Sequence, residues 1–152
     1  MQEEFLRGSS SVTRIELHVS YKIKYCHKIF GIVEVKQRCQ EILYEVAALL
    51  KVTIKEIGFD ENHVHMDIFM RHTQRLCDIN KAFKGTSGKK LLQEFPEIKK
   101  KYFWGSGLWG GQAYGDSVGR DPTVIRNYVK NQGLGRKEIS LNTFLKINTT
   151  GL

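Results

Sequence analysis

The feature that most constrains this chain is a strict alternation of polar and apolar side chains through His63-Val64-His65-Met66-Asp67-Ile68. A period of two belongs to a β-strand, whose successive side chains leave opposite faces. His63, His65 and Asp67 therefore share one face, while Val64, Met66 and Ile68 share the other, which is expected to lie on a hydrophobic core. Two imidazoles two residues apart on a rigid strand can offer nitrogens to one divalent cation with little further ordering. Taken alone, they read equally well as half-buried histidines of an edge strand, because short motifs recur without function.

The flanking patterns limit what can cover the apolar face. Residues 14–30 alternate, with Val19, Tyr21, Ile23 and Tyr25 on one side and Ser20, Lys22 and Lys24 on the other, until Gly31 ends the run. Residues 32–51 change to the helical period, with Val35, Cys39, Ile42, Leu43, Val46 and Leu50 on one stripe. Residues 52–59 return to a β-branched strand, Asp60-Glu61-Asn62 forms a turn, and residues 63–70 complete a hairpin. The order so far is strand, helix, strand, strand.

After a polar connection at 71–75, two short helices are expected over 76–83 and 87–95, separated by Lys84-Gly85-Thr86, with Thr86 or Ser87 as N-cap. Pro96 falls in the turn that follows. Lys99-Lys100-Lys101 then precede Tyr102-Phe103-Trp104, and the glycine-rich residues 105–119 read as one or two strands with a hairpin near Gly110-Gly111. Aromatics among lysines suit stacking of unpaired bases, and equally suit a core. Asp121-Pro122 opens a helix that runs to about Gln132 and ends at Gly133. Residues 134–152 read as a short docking helix or a partly ordered tail.

At 152 residues the chain is long enough for one domain with a real core. Its net charge of +8 favours a polyanionic partner, most often nucleic acid. Cys26, Cys39 and Cys77 are odd in number and lack paired spacing, so they are expected to be reduced and mostly buried. No apolar run is long enough to span a bilayer, and no signal peptide opens the chain, so a cytoplasmic place is expected. Residues 1–13 read as a flexible leader of the kind an expression vector leaves. Gly88-Lys89-Lys90 is not a P-loop: Phe83 stands where the first glycine belongs and Lys90 where a Ser or Thr is needed, so no nucleotide cofactor is expected.

The helix from Pro122 carries Tyr128 and Gln132 at i and i+4, one turn apart on one face. A phenol with an ordinary pKa of about 10 is a poor nucleophile at neutral pH. A cation nearby can favour the phenolate or polarise the phosphate it attacks. Two strand histidines and the Gln132 amide oxygen make three protein ligands, leaving positions for phosphate and water, as a hard ion such as Mg²⁺ or Mn²⁺ requires.

In these residues the chain resembles the single-tyrosine HUH transposases of small bacterial and archaeal insertion sequences, the IS200-like transposases. His63-Val64-His65 matches their His-hydrophobic-His signature, and Tyr128-Val129-Lys130-Asn131-Gln132 matches their Tyr-x-x-Asn-Gln helix. The likeness extends over Gly85-Thr86-Ser87, Glu94-Phe95-Pro96-Glu97 and the segment from Trp104 to Gly119, and spans roughly residues 19–133.

The resemblance implies a ferredoxin-like (RRM-like) α/β sandwich, with an antiparallel sheet, packed helices and a tyrosine-bearing helix near the C-terminus. Residues 14–133 would be the catalytic domain. It implies metal binding by His63, His65 and Gln132, with Tyr128 as the nucleophile that exchanges single-stranded DNA through a 5′-phosphotyrosine. It implies a homodimer whose active sites can be shared between subunits, with Gly115 and Gly119 as hinges. A DNA hairpin at each transposon end would contact Arg71, Arg75, Lys81, Lys84, Lys89 and Lys90, and the substrate would lie in a prokaryotic nucleoid. Two other readings stay open: a non-catalytic RRM-like module that holds single-stranded nucleic acid, and a domesticated HUH nuclease acting on genomic repeats.

Overall fold

The computed structural model describes residues 6–7, 12–13, 15–117 and Leu141. The order is β1 (Leu6–Arg7), β2 (Val12–Thr13), β3 (Ile15–Ile23), α1 (Val33–Leu50), β4 (Thr53–Phe59), β5 (His63–Met70), α2 (Leu76–Glu94), α3 (Pro96–Tyr102) and β6 (Trp109–Ser117). β1 and β2 form a two-residue antiparallel ribbon within the stretch read as a leader. The main sheet is antiparallel in the order β4-β5-β3-β6, with β3 and β5 inside. Each helix α1 and α2 links two strands, and the strands that lie at the centre are not neighbours in sequence. That is the ferredoxin-like sandwich expected.

One face of the sheet makes the core. Val19, Tyr21 and Ile23 of β3 and Val64, Met66 and Ile68 of β5 are buried, and they join Val35, Cys39, Ile42, Leu43 and Val46 of α1. The α1 stripe is therefore the one its period announced, apart from a half-buried Leu50. Lys51 closes the helix in the left-handed conformation (φ 57°), and its N–H reaches the Ala47 and Ala48 carbonyls. Burial pushes the Cys39 thiol up.

The structure corrects several local expectations. β3 stops at Ile23, because Lys24–Cys26 form a 3-10 turn with Tyr25 and Cys26 both at positive φ (61° and 58°). Tyr25 consequently leaves the apolar face and is 65% exposed. Residues 76–94 are one continuous helix rather than two. Local propensity argued for a break at Gly85-Thr86-Ser87, and tertiary ties overrode it. Asn80, Lys84 and Ser87, at i, i+4 and i+7, share one stripe and each grips the sheet side. Tyr21 Oη donates to Asn80 Oδ1 at 2.6 Å, Lys84 Nζ donates to the Gly110 carbonyl at 2.7 Å, and Trp109 Nε1 donates to Ser87 Oγ at 2.9 Å. Gly88 has a packing role: a Cβ there would lie 3.3 Å from Trp109 Cδ1.

Pro96 is not in a turn but begins α3, where a missing N–H costs nothing and φ is preset. Lys99, Lys100 and Lys101 occupy the last turn of α3, where the helix dipole favours cations. Residues 109–117 are one strand without a hairpin at Gly110-Gly111. Gly110 lets the neighbouring backbone approach closely inside that strand: a Cβ there would lie 3.3 Å from the Lys22 carbonyl, a tight contact. The two tryptophans part company: Trp109 is buried on Tyr21 and Phe30, whereas Trp104 is 80% exposed. Cys26 and Cys77 are exposed and only Cys39 is buried, against the expectation that most would be. The expected helix at 122–132 lies outside the described residues, as does the tail except Leu141. Leu141 packs on the core, and its amide donates to Glu34 Oε2 at 2.8 Å.

Candidate metal centre and nucleic-acid groove

The histidines stand on β5, an interior strand, and on the sheet face turned away from the apolar side chains that meet α1 and α2. Their rings are 4.5 Å apart, centroid to centroid, and nearly perpendicular at 75°. His63 is held from its own turn: its Nδ1 lies 2.6 Å from Asn62 Oδ1, an acceptor, so Nδ1 carries the proton. His63 Nε2 is left facing Asp60 Oδ2 at 3.8 Å. His65 is held from the neighbouring strand, its Nδ1 3.1 Å from Nε2 of His18. Both imidazoles are thus engaged through Nδ1, and the Nε2 of His65 is the buried nitrogen without a hydrogen-bond partner among the described residues. A buried ring nitrogen without a partner fits the donor set a divalent ion would take.

Electrostatics keep that nitrogen available. Burial, then the neighbouring His63 and His18, lower the pKa of His65 to about 4, against a smaller opposing effect of Asp60. His65 is therefore neutral at physiological pH and can donate a lone pair. Among the described residues no group of three or more His, Cys, Asp or Glu is placed to hold a metal, so the pair needs another ligand. Gln132, expected in that role, lies outside the described residues, and so do Tyr128 and Gly119. Gly115 sits within β6, in register with Val19.

His18 escaped sequence reasoning. It stands alone in β3, two residues before Ser20 on the polar side of the alternation, and only the register reveals its neighbours: His18 pairs with Asp67, Ser20 with His65 and Lys22 with His63. Side chains opposite each other on antiparallel strands share a face. The exposed Lys22 is thereby the cation directly across from His63.

The cations singled out for DNA contact separate into groups. Lys81, Lys84 and Lys89 line a groove of about 750 Å³ between α2 and the start of β6, with Trp109, Gly110 and Gly111 as its other wall. Lys84 is committed to the Gly110 carbonyl, and burial lowers its pKa. Lys90 turns towards α1 and pairs with Glu45 at 3.3 Å. Arg75 precedes α2 and pairs with Asp78 at 2.9 Å. Arg71 follows β5, and its Nε is buried without a partner among the described residues. The groove lies on the helix side of the sheet, so the structure does not bring these lysines to the histidines.

The fold and this face define a ferredoxin-like α/β protein with a paired-histidine centre on one side of its sheet. The family described as "Transposase IS200 like" matches residues 11–132, and the chain belongs to it. Membership makes the protein a transposase, an enzyme that cuts DNA. It is 29% identical over 106 residues to the ISDra2 transposase TnpA of Deinococcus radiodurans, covering 70% of this chain and 74% of that one. It is 28% identical over 120 residues to the transposase for insertion sequence element IS200 of Salmonella typhimurium, covering 76% and 74%. The crystal structure of a transposase-like protein of Deinococcus radiodurans R1 superposes with a TM-score of 0.70 at 25% identity, over 84% of this chain and 97% of that one. A REP-associated tyrosine transposase, solved bound to a REP hairpin, shares the fold at a TM-score of 0.52 and 10% identity, over 85% and 67%. No helix among the described residues is long and apolar enough to cross a membrane.

Proposed function

We propose that this transposase cleaves and rejoins single-stranded DNA at insertion-sequence ends through Tyr128. The observation that carries the reading is the pair of strand imidazoles, both engaged through Nδ1, with the buried Nε2 of His65 unpartnered among the described residues. His63 and His65, with the Gln132 amide oxygen, would hold a divalent ion. Mg²⁺ or Mn²⁺ bound there supplies Lewis-acid polarisation of the scissile phosphate. The Tyr128 phenol loses its proton and its oxygen attacks phosphorus. The bond to the 3′ oxygen breaks, that oxygen takes up a proton, and a 5′-phosphotyrosine and a free 3′-OH remain. Attack by another 3′-OH reverses the exchange, so one ester replaces another of similar energy and no nucleotide need be hydrolysed.

Lys22, across from His63, would steer the phosphate backbone past the histidines. The groove of Lys81, Lys84 and Lys89 beside Trp109 supports a second DNA contact, where a hairpin at each end would be held. The active unit would be a homodimer, with the tyrosine helix serving its own histidines or its partner's, in the prokaryotic cytoplasm where such DNA lies.

The test is a denaturing gel after incubation with single-stranded oligonucleotides from the flanks of the protein's own gene, with Mg²⁺ or Mn²⁺. A slower, protease-sensitive band that disappears in Tyr128→Phe is expected. Tight binding without that band in wild type would make the protein a binding module, and a band formed only on dispersed genomic repeats would make it a domesticated nuclease.

A further inference from the structure

The contact between His18 and His65 joins two side chains that can each donate or accept. Their nitrogens, His18 Nε2 and His65 Nδ1, are 3.1 Å apart, and the rings lie nearly parallel at 23° with centroids 5.2 Å apart. One nitrogen must carry the hydrogen and the other the lone pair. If His18 donates, the hydrogen of neutral His65 sits on Nε2, a buried atom with no acceptor among the described residues. If His65 donates from Nδ1, Nε2 carries a lone pair instead. Either way the second N–H is buried, on His65 Nε2 in the first case and on His18 Nδ1 in the second, so burial alone does not choose between them; only the second gives His65 Nε2 the lone pair that ligation requires. Histidines that ligate metals regularly donate their other N–H to a neighbouring acceptor, which fixes both tautomer and ring orientation.

We infer that His18 is a positioning residue for His65: by accepting its Nδ1–H, His18 holds the tautomer and the ring angle that leave Nε2 as the ligating nitrogen. The inference rests on the reading of His65 as a metal ligand. It gives the two imidazoles different supports, Asn62 from within the same turn for His63 and a cross-strand histidine for His65. The β3–β5 register is then part of the centre, since a slip of one residue would turn His18 to the other face.

Two measurements on the full chain test this. The first is the ¹⁵N NMR tautomer of His65 in metal-free protein at neutral pH, where Nδ1–H is expected. Nε2–H in the wild type would overturn the inference without reference to any metal. The second is Mn²⁺ affinity by calorimetry for His18→Phe, which keeps a stacked ring but no acceptor, and for His18→Gln, whose Oε1 can accept in place of Nε2. The Phe variant should bind Mn²⁺ about ten- to a hundredfold more weakly, and the Gln variant should recover most of that loss. Wild-type affinity in the Phe variant, or equal weakness in both, would refute the positioning role. Unchanged affinity in His65→Ala would instead remove the ligand reading and the inference with it. Should the Phe variant fail to fold, the wild-type tautomer and the Gln variant still decide.

Discussion

Replacing Ser87 by alanine probes how α2 is held as one helix. Ser87 Oγ accepts the indole N–H of Trp109 at 2.9 Å and donates to the Phe83 carbonyl at 2.6 Å; Ser87 is fully buried and Trp109 is 8% exposed. Alanine removes the acceptor and leaves Trp109 Nε1–H buried and unpaired, which costs about 1–3 kcal/mol. The better helix propensity of alanine returns about 0.5 kcal/mol, so the net loss should be about 1–2 kcal/mol. At about 2–4 °C per kcal/mol for a chain of this size, Tm should fall by several degrees. The assay is urea unfolding followed by tryptophan fluorescence and circular dichroism, run as a double-mutant cycle with Trp109→Phe, which lacks the donor. In the Phe background Ser87→Ala should be close to neutral. The same loss in both backgrounds would refute the claim that the indole bond, rather than the helix-internal bond to Phe83, ties α2 to β6.

Metal-free stability should fall with acid in a window set by His65. Its folded pKa of about 4 lies below the unfolded value of about 6.5, so between those limits the unfolded chain binds the extra proton and gains. Stability is therefore steady above about pH 6.5 and drops by about 1–2 kcal/mol towards pH 4 once partial exposure is allowed for; His65→Gln should lose that excess drop in urea titrations at pH 7.5 and 4.5, and an identical drop would contradict the assignment. Within the groove, Lys81→Ala and Lys89→Ala should each lower the salt slope of DNA binding by about one. Lys84→Met, which loses a bond to the Gly110 carbonyl, should mainly lower Tm; a salt-slope effect as large as that of Lys81 would reverse the distinction. Trp104→Ala should weaken single-stranded binding by about 1–3 kcal/mol if an unpaired base stacks there, with Tm unchanged because the ring is exposed; unchanged affinity in a fluorescence anisotropy titration would dismiss it.

How much was legible follows from the range of each interaction. The alternation around His63-Val64-His65 and the stripe of α1 are local patterns, and they predicted the strand, the helix and the shared face of the two histidines. What local patterns lack is register. His18 could not be assigned to the centre from its own strand, because its relation to His65 exists only once β3 and β5 are aligned. The same holds for α2: Gly85, Thr86 and Ser87 weaken a helix in isolation, and the bonds that preserve it reach Tyr21, Gly110 and Trp109. Pro96 reads as a turn residue in sequence because proline cannot continue a helix, and only the structure shows it opening α3. Gly110 looked like a turn because glycine usually marks one, whereas here it admits the Lys22 carbonyl.

The sheet also acts as a partition. Its helix side carries the lysine groove, and its other side carries His18, His63 and His65, so among the described residues no side chain belongs to both surfaces. Substitutions separated by a rigid sheet and sharing no partner combine additively to within about 0.5 kcal/mol. On the proposed reading, residues along α2 can drift and change which DNA is gripped, while the histidine side keeps its geometry. A lineage built on this sheet could change its target repeatedly and inherit the same chemistry each time.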